Sequence, residues 1–169
     1  MTDTRNPPSS SRRRRAAILA CMTLPSTSCV LLADRHHGMI ESVRDMLETE
    51  FATLFIVADE NSLLEGASRL KPTVVIVDLS LVPGNLPEVL HRLRTNSPHS
   101  KTLLLSVQDQ ESVARFGLEA RADGVVLKRA IATDLLPAVD AVLANRRFVS
   151  PGIDQNTRRN DDGTTEENR

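Results

Sequence analysis

Residues 71–80 read Lys-Pro-Thr-Val-Val-Ile-Val-Asp-Leu-Ser, and the apolar run inside them decides the fold. Val74, Val75, Ile76 and Val77 leave no polar position for a solvent-facing side, so a strand built from them is covered on both faces. That is the habit of a parallel sheet with helices on either side. Asp78 then falls at the C-terminal end of the strand, the edge at which open α/β sheets carry their chemistry.

Three more strand-like runs end on a polar residue. Residues 30–33 (Val-Leu-Leu-Ala) precede Asp34, residues 102–105 (Thr-Leu-Leu-Leu) precede Ser106, and residues 125–127 (Val-Val-Leu) precede Lys128. Parallel strands bring these ends to one edge of one sheet, where two carboxylates, a hydroxyl and an ammonium meet. Each residue alone has a plain explanation, since Asp favours turns and caps and a lysine often ends a strand in solvent. Their convergence is what points to a functional site.

Helix-like patterns alternate with these strands. After Asp34, residues Met39, Ile40, Val43, Met46 and Leu47 share one helical face. A weaker strand over 54–58 leads to a helix carrying Leu63, Leu64, Ala67 and Leu70, closed by Pro72. Past the turn at Pro83 and Gly84, a third helix places Leu86, Val89, Leu90 and Leu93 at i, i+3, i+4 and i+7. A fourth, over 110–120, is expected to turn Val113 and Phe116 inward. The last, over 132–144, presents Leu135, Leu136, Val139, Val142 and Leu143. Five such units predict an α/β fold, a doubly wound five-stranded parallel sheet, with few topologies left by the right-handed crossover rule.

The chain has 169 residues, 40% of them hydrophobic, and a formal charge of -1, which fits one domain with tails. This balance gives no electrostatic case for nucleic acid, and with no Trp or Tyr there are no stacking platforms for single strands. Residues 1–27 are rich in Pro, Ser and Arg and read as a disordered basic leader; residues 28–150 form the domain, and 151–169 a disordered polar tail. Arg12 to Arg15 precede a short apolar stretch that starts like an export signal but is too brief to act as one or to span a membrane. Cys21 and Cys29 form neither a CxxC pair nor a metal cluster. His36 and His37, adjacent in a loop with no third His or Cys ligand, read as solvent-facing.

At residues 30–34, 71–80, 103–106 and 122–128 the chain resembles the receiver domains of two-component response regulators, whose fold is flavodoxin-like. Residues 146–151 also resemble the exit of receivers that precede a helix-turn-helix module. The resemblance implies that Asp78 accepts a phosphoryl group from a histidine kinase or phosphotransfer protein in phosphorelay signalling in the cytoplasm. An aspartyl nucleophile attacking phosphorus needs positioning and charge neutralisation above all. Lys128 supplies a cation and Ser106 a hydroxyl donor, while Asp34, Asp78 and the backbone carbonyl of Ser80 are the implied Mg²⁺ contacts.

Two departures from the family pattern stand out. Receivers usually carry two adjacent acids after the first strand; here Arg35 replaces the second, which predicts weaker Mg²⁺ binding and puts a guanidinium within reach of an ion pair with Asp78. Val125 stands at the switch position, where many receivers have an aromatic that swings inward, and a valine has no such reach. The runner-up expectation is therefore a phosphorylation-independent pseudo-receiver, an interaction module.

Enzyme readings are weaker. There is no GxxxxGK[ST] loop for a nucleotidase. Ser80 stands where haloacid-dehalogenase phosphatases want a second acid, and residues 35–38 lack the phosphate-cradling pattern of flavodoxins. With only a short polar segment after Pro151, the expectation is a stand-alone domain that is not an enzyme, with an unnamed output partner, no sequence-specific nucleic acid and no membrane.

Overall fold

The computed structural model describes residues 28–153; the expected leader and most of the expected tail lie outside these residues. The order is β1 (Cys29–Ala33), α1 (His37–Glu50), β2 (Thr53–Val57), α2 (Glu60–Leu70), β3 (Val74–Asp78), α3 (Leu86–Asn96), β4 (Lys101–Ser106), α4 (Glu111–Glu119), β5 (Gly124–Leu127), α5 (Ile131–Leu143) and β6 (Phe148–Val149). Short 3₁₀ turns follow β3 (Leu79–Leu81) and β5 (Lys128–Ala130).

All strand pairs are parallel, in the order β2-β1-β3-β4-β5-β6. Every residue of β3 is buried, as its unbroken apolar run requires. Alternate side chains feed two cores. Val75 and Val77 join Leu31, Leu104, Val125 and Leu127 beneath α2, α3 and α4. Val74 and Ile76 join Val30, Leu32, Leu103, Leu105 and Val126 beneath α1 and α5. β2 is an edge strand and half-exposed, which is why its pattern is weak in the sequence.

Three expectations need correction. The sheet has six strands rather than five, because after α5 the chain reverses through Asn145 (φ 58) and lays Phe148 and Val149 beside Gly124 and Val125. Gly124 permits that approach, since a β-carbon there would meet the Phe148 carbonyl oxygen at 2.8 Å. Two residues are too few to leave an alternating signal.

The second correction concerns α4. It presents Ala114 and Gly117 to the sheet, leaving Val113 half-buried and Phe116 50% exposed. A β-carbon at Gly117 would lie 2.7 Å from Leu104 Cδ1, so the helix sits too close to the sheet for a ring to enter. The third concerns the exit. Residues 151–153 continue as a helical turn with Ile153 buried in the α2–α4 core, so ordered chain runs past the boundary expected at 150.

Candidate functional site

Strand register assembles the site. Ala33 pairs with Val77, so Asp34 and Asp78, each one step further along, are neighbours where the sheet order reverses between β1 and β3. Asp78 pairs with Leu105 and Ser106 with Leu127, which brings Ser106 and Lys128 to the same edge. Asp34, Asp78 and Ser106 are buried.

Lys128 bridges the acids, with Nζ 2.8 Å from Asp34 Oδ2 and 2.8 Å from Asp78 Oδ2. An ammonium has three donors and suits such a bridge. Burial is the largest influence on the Asp34 carboxyl and pushes its pKa up. The hydrogen bond from Lys128, then those from the backbone and ring of His36, outweigh burial and hold it below the ordinary carboxylate value. Two carboxylates against one ammonium leave a formal negative charge when His36 is neutral.

Asp78 is further fixed by Ser80, whose N–H donates to Oδ1 at 3.2 Å and whose hydroxyl donates to Oδ2. Ser106 lies at the edge with its hydroxyl engaged locally, donating to the Gln108 carbonyl at 2.9 Å and accepting the Gln108 N–H at 3.0 Å. Val125 is fully buried under α4, within the core that contains Leu104 and Ala114. A separate cavity of about 780 Å³, lined by Arg94, Arg115, Arg121 and Arg147 among others, shares no residue with the strand-end site.

The loop after β1 departs from expectation. Arg35 is exposed and makes no ion pair among the described residues, so the pairing with Asp78 anticipated from sequence is absent. His36 faces the acids instead: Nδ1 lies 2.8 Å from Asp34 Oδ1 and 3.4 Å from Asp78 Oδ2. Its backbone N–H also donates to Asp34 Oδ1 at 2.8 Å. The signal that would have found His36 is the alternation of an extended chain, which returns residue i+2 to the side of residue i. His37 is exposed, as expected.

The two carboxylates can hold a divalent cation. Mg²⁺ takes one or two such ligands and keeps several waters, and the 56% exposed His36 ring marks the solvent-open side. The donor set Asp34, His36 and Asp78 places one ligand atom from each within 4.8 Å of the others.

Comparison with known proteins bears on the family and the fold. Residues 30–140 match the response regulator receiver domain. The transcriptional regulatory protein DegU of Brevibacillus brevis is 28% identical over 129 residues, covering 75% of this chain and 55% of that protein. A putative transcriptional regulator of Pseudomonas aeruginosa is 33% identical over 118 residues, covering 69% and 57%. The chain thus spans little more than half the length of these relatives. Among solved structures, a LuxR-family two-component response regulator from an Aurantimonas species superposes with a TM-score of 0.69 at 25% identity, covering 79% of this chain and 97% of that one. These relatives include transcriptional regulators, so the expectation of no sequence-specific nucleic acid finds no support in them. No helix among the described residues is long and apolar enough to cross a membrane. The match over residues 30–140, on a sheet that carries Asp34, Asp78, Ser106 and Lys128 at one edge, places this chain in the response regulator receiver domain family.

Proposed function

We propose that the domain accepts a phosphoryl group on Asp78 from a histidine kinase or phosphotransfer protein and works as a phosphorelay receiver in the cytoplasm. The observation that carries this reading is the junction of Lys128 with Asp34 and Asp78, each contact 2.8 Å. One Asp78 carboxylate oxygen attacks phosphorus, the bond from phosphorus to the donor atom breaks, and that atom leaves with the electron pair. An acyl phosphate results. Asp78 is consumed by the transfer, which makes the chain a signalling acceptor rather than an enzyme.

Lys128 is placed to neutralise phosphoryl oxygens, and Ser80 orients the carboxylate. Asp34 and Asp78, with the Ser80 carbonyl, would hold a divalent cation, which would supply charge neutralisation beyond that of one ammonium. Ser106 becomes a donor to the phosphoryl group once its hydroxyl leaves Gln108. Arg35 occupies the position of the family's second acid, and its positive charge weakens Mg²⁺ binding.

A second reading, a phosphorylation-independent interaction module, draws on the engaged Ser106 hydroxyl and on Val125. Incubation with Mg²⁺ and a small acyl-phosphate donor separates the two. The receiver reading expects an intact-mass gain of one phosphoryl group that Asp78→Asn abolishes; no gain with either protein favours the interaction module.

A further inference from the structure

The receiver pattern supplies oxygen ligands for its metal, yet the loop after β1 aims an imidazole nitrogen at the same place. Asp34, Arg35 and His36 run on from the strand in alternation: Asp34 is buried, Arg35 points to solvent, and His36 returns over the carboxylates. His36 is held there by its backbone. Its N–H donates to Asp34 Oδ1, its own conformation is extended (φ -94, ψ 102), and its carbonyl accepts the Met39 and Ile40 N–H groups that open α1. The ring position is set by the start of the helix.

The separations from His36 suit a shared ion. Two donors bonded to one metal at about 2.0–2.2 Å stand about 2.8–3.5 Å apart in octahedral or tetrahedral geometry. Nδ1 of His36 lies 2.8 Å from Asp34 Oδ1 and 3.4 Å from Asp78 Oδ2. The ring is 56% exposed, which leaves the outer side open to waters and to ion exchange. Mg²⁺ favours oxygen ligands and gives up its waters reluctantly, whereas imidazole suits later first-row ions, whose affinity for nitrogen-containing sites rises along the series.

We propose that His36 Nδ1, with one oxygen each of Asp34 and Asp78, makes this a site for an imidazole-preferring divalent transition ion of the Co²⁺ and Zn²⁺ class, in preference to Mg²⁺. The inference deepens the phosphoacceptor reading, on which it rests for the requirement that a divalent ion enter the site. Binding exchanges the hydrogen bonds between Nδ1 and the carboxylates for bonds to the ion, and the ring proton moves to Nε2, on the solvent side.

The test is calorimetric titration of the full chain with Co²⁺ alone and with Mg²⁺ alone, without phosphodonor, on the wild type, His36→Ala, His36→Asn and the control His37→Ala. Visible absorption of the Co²⁺ form reads nitrogen ligation, and thermal melting verifies that each variant folds. The expected result is Co²⁺ affinity about 100-fold above that for Mg²⁺, in the direction set by imidazole ligation and by the first-row affinity order. Both His36 variants should lose at least about ten-fold in Co²⁺ affinity and keep their Mg²⁺ affinity, with His37→Ala unchanged. Equal affinities for the two ions, or undiminished Co²⁺ binding in folded His36→Ala, overturn the proposal. Failure of the phosphoacceptor reading is a different result: Co²⁺ bound through His36 in a chain that takes no phosphoryl group upholds the metal site alone. Phosphorylation at Asp78 with Co²⁺ affinity indifferent to His36 does the reverse.

Discussion

Lys128→Met removes the ammonium that joins two buried carboxylates while keeping most of the apolar stem. From sequence alone, a strand-end lysine looks dispensable to stability. The structure argues otherwise, because its side chain is 9% exposed and the two acids it bridges are 0% and 3% exposed. Removing one partner of a buried ion pair costs about 3–5 kcal/mol, through the charge left unpaired. His36 and Ser80 still donate to these carboxylates, so the lower figure applies, about 3 kcal/mol or about 10 °C in Tm for a domain of this size.

The pH dependence gives a sharper test. In the wild type, the depressed Asp34 pKa means that its ionised form contributes stability above its unfolded pKa, which is lost as pH falls through the folded value. Without Lys128, the largest influence opposing burial is gone, and the folded pKa moves up from its wild-type position. The folded variant then binds more protons on acidification than the folded wild type, so its deficit is largest at neutral pH and shrinks as pH falls. Urea unfolding of both proteins between pH 4 and 7 reads this directly, and adding Asp34→Asn should recover part of the loss. A deficit under about 1 kcal/mol, or one independent of pH, would refute the reasoning.

Other outcomes follow from the same contacts. Arg35→Asp should raise Mg²⁺ affinity and the rate of phosphoryl acceptance, and equal Mg²⁺ affinities in calorimetry would mean that Arg35 does not perturb the site. Ser150→Ala removes a buried hydroxyl that accepts the Leu127 N–H at 3.0 Å and donates to Asp134 at 2.6 Å. Denaturant unfolding should show a loss of about 2 kcal/mol, the cost of an unpaired buried donor. Gly117→Ala should cost about 1–3 kcal/mol, because the new methyl meets Leu104 in a fully buried layer. On the same helix, Phe116→Ser should change stability by less than about 0.5 kcal/mol.

The parts of the fold legible in the sequence are those with a strong period. The all-apolar β3 run and the α3 face at Leu86, Val89, Leu90 and Leu93 are buried as their patterns require. Where the period is short or the decisive feature is small size, sequence reading fails. β6 has two residues, and α4 packs through Ala114 and Gly117, so the larger Phe116 misdirected the reading of its face. The strand ends at Asp34, Asp78, Ser106 and Lys128 were visible because each closes an apolar run. The bridging geometry of Lys128 and the return of His36 were not, since both depend on how a loop is laid over the sheet edge.

The central claim is that Asp78 is the phosphoryl acceptor of this edge. Treatment of the full chain with a small acyl-phosphate donor in Mg²⁺ and in Co²⁺, followed by peptide mapping of the modified residue, tests it most directly. The account predicts one phosphoryl group per chain, on the peptide containing Asp78, absent from Asp78→Asn and slowed in Lys128→Met. A label on any other residue, or none with either ion, would contradict it.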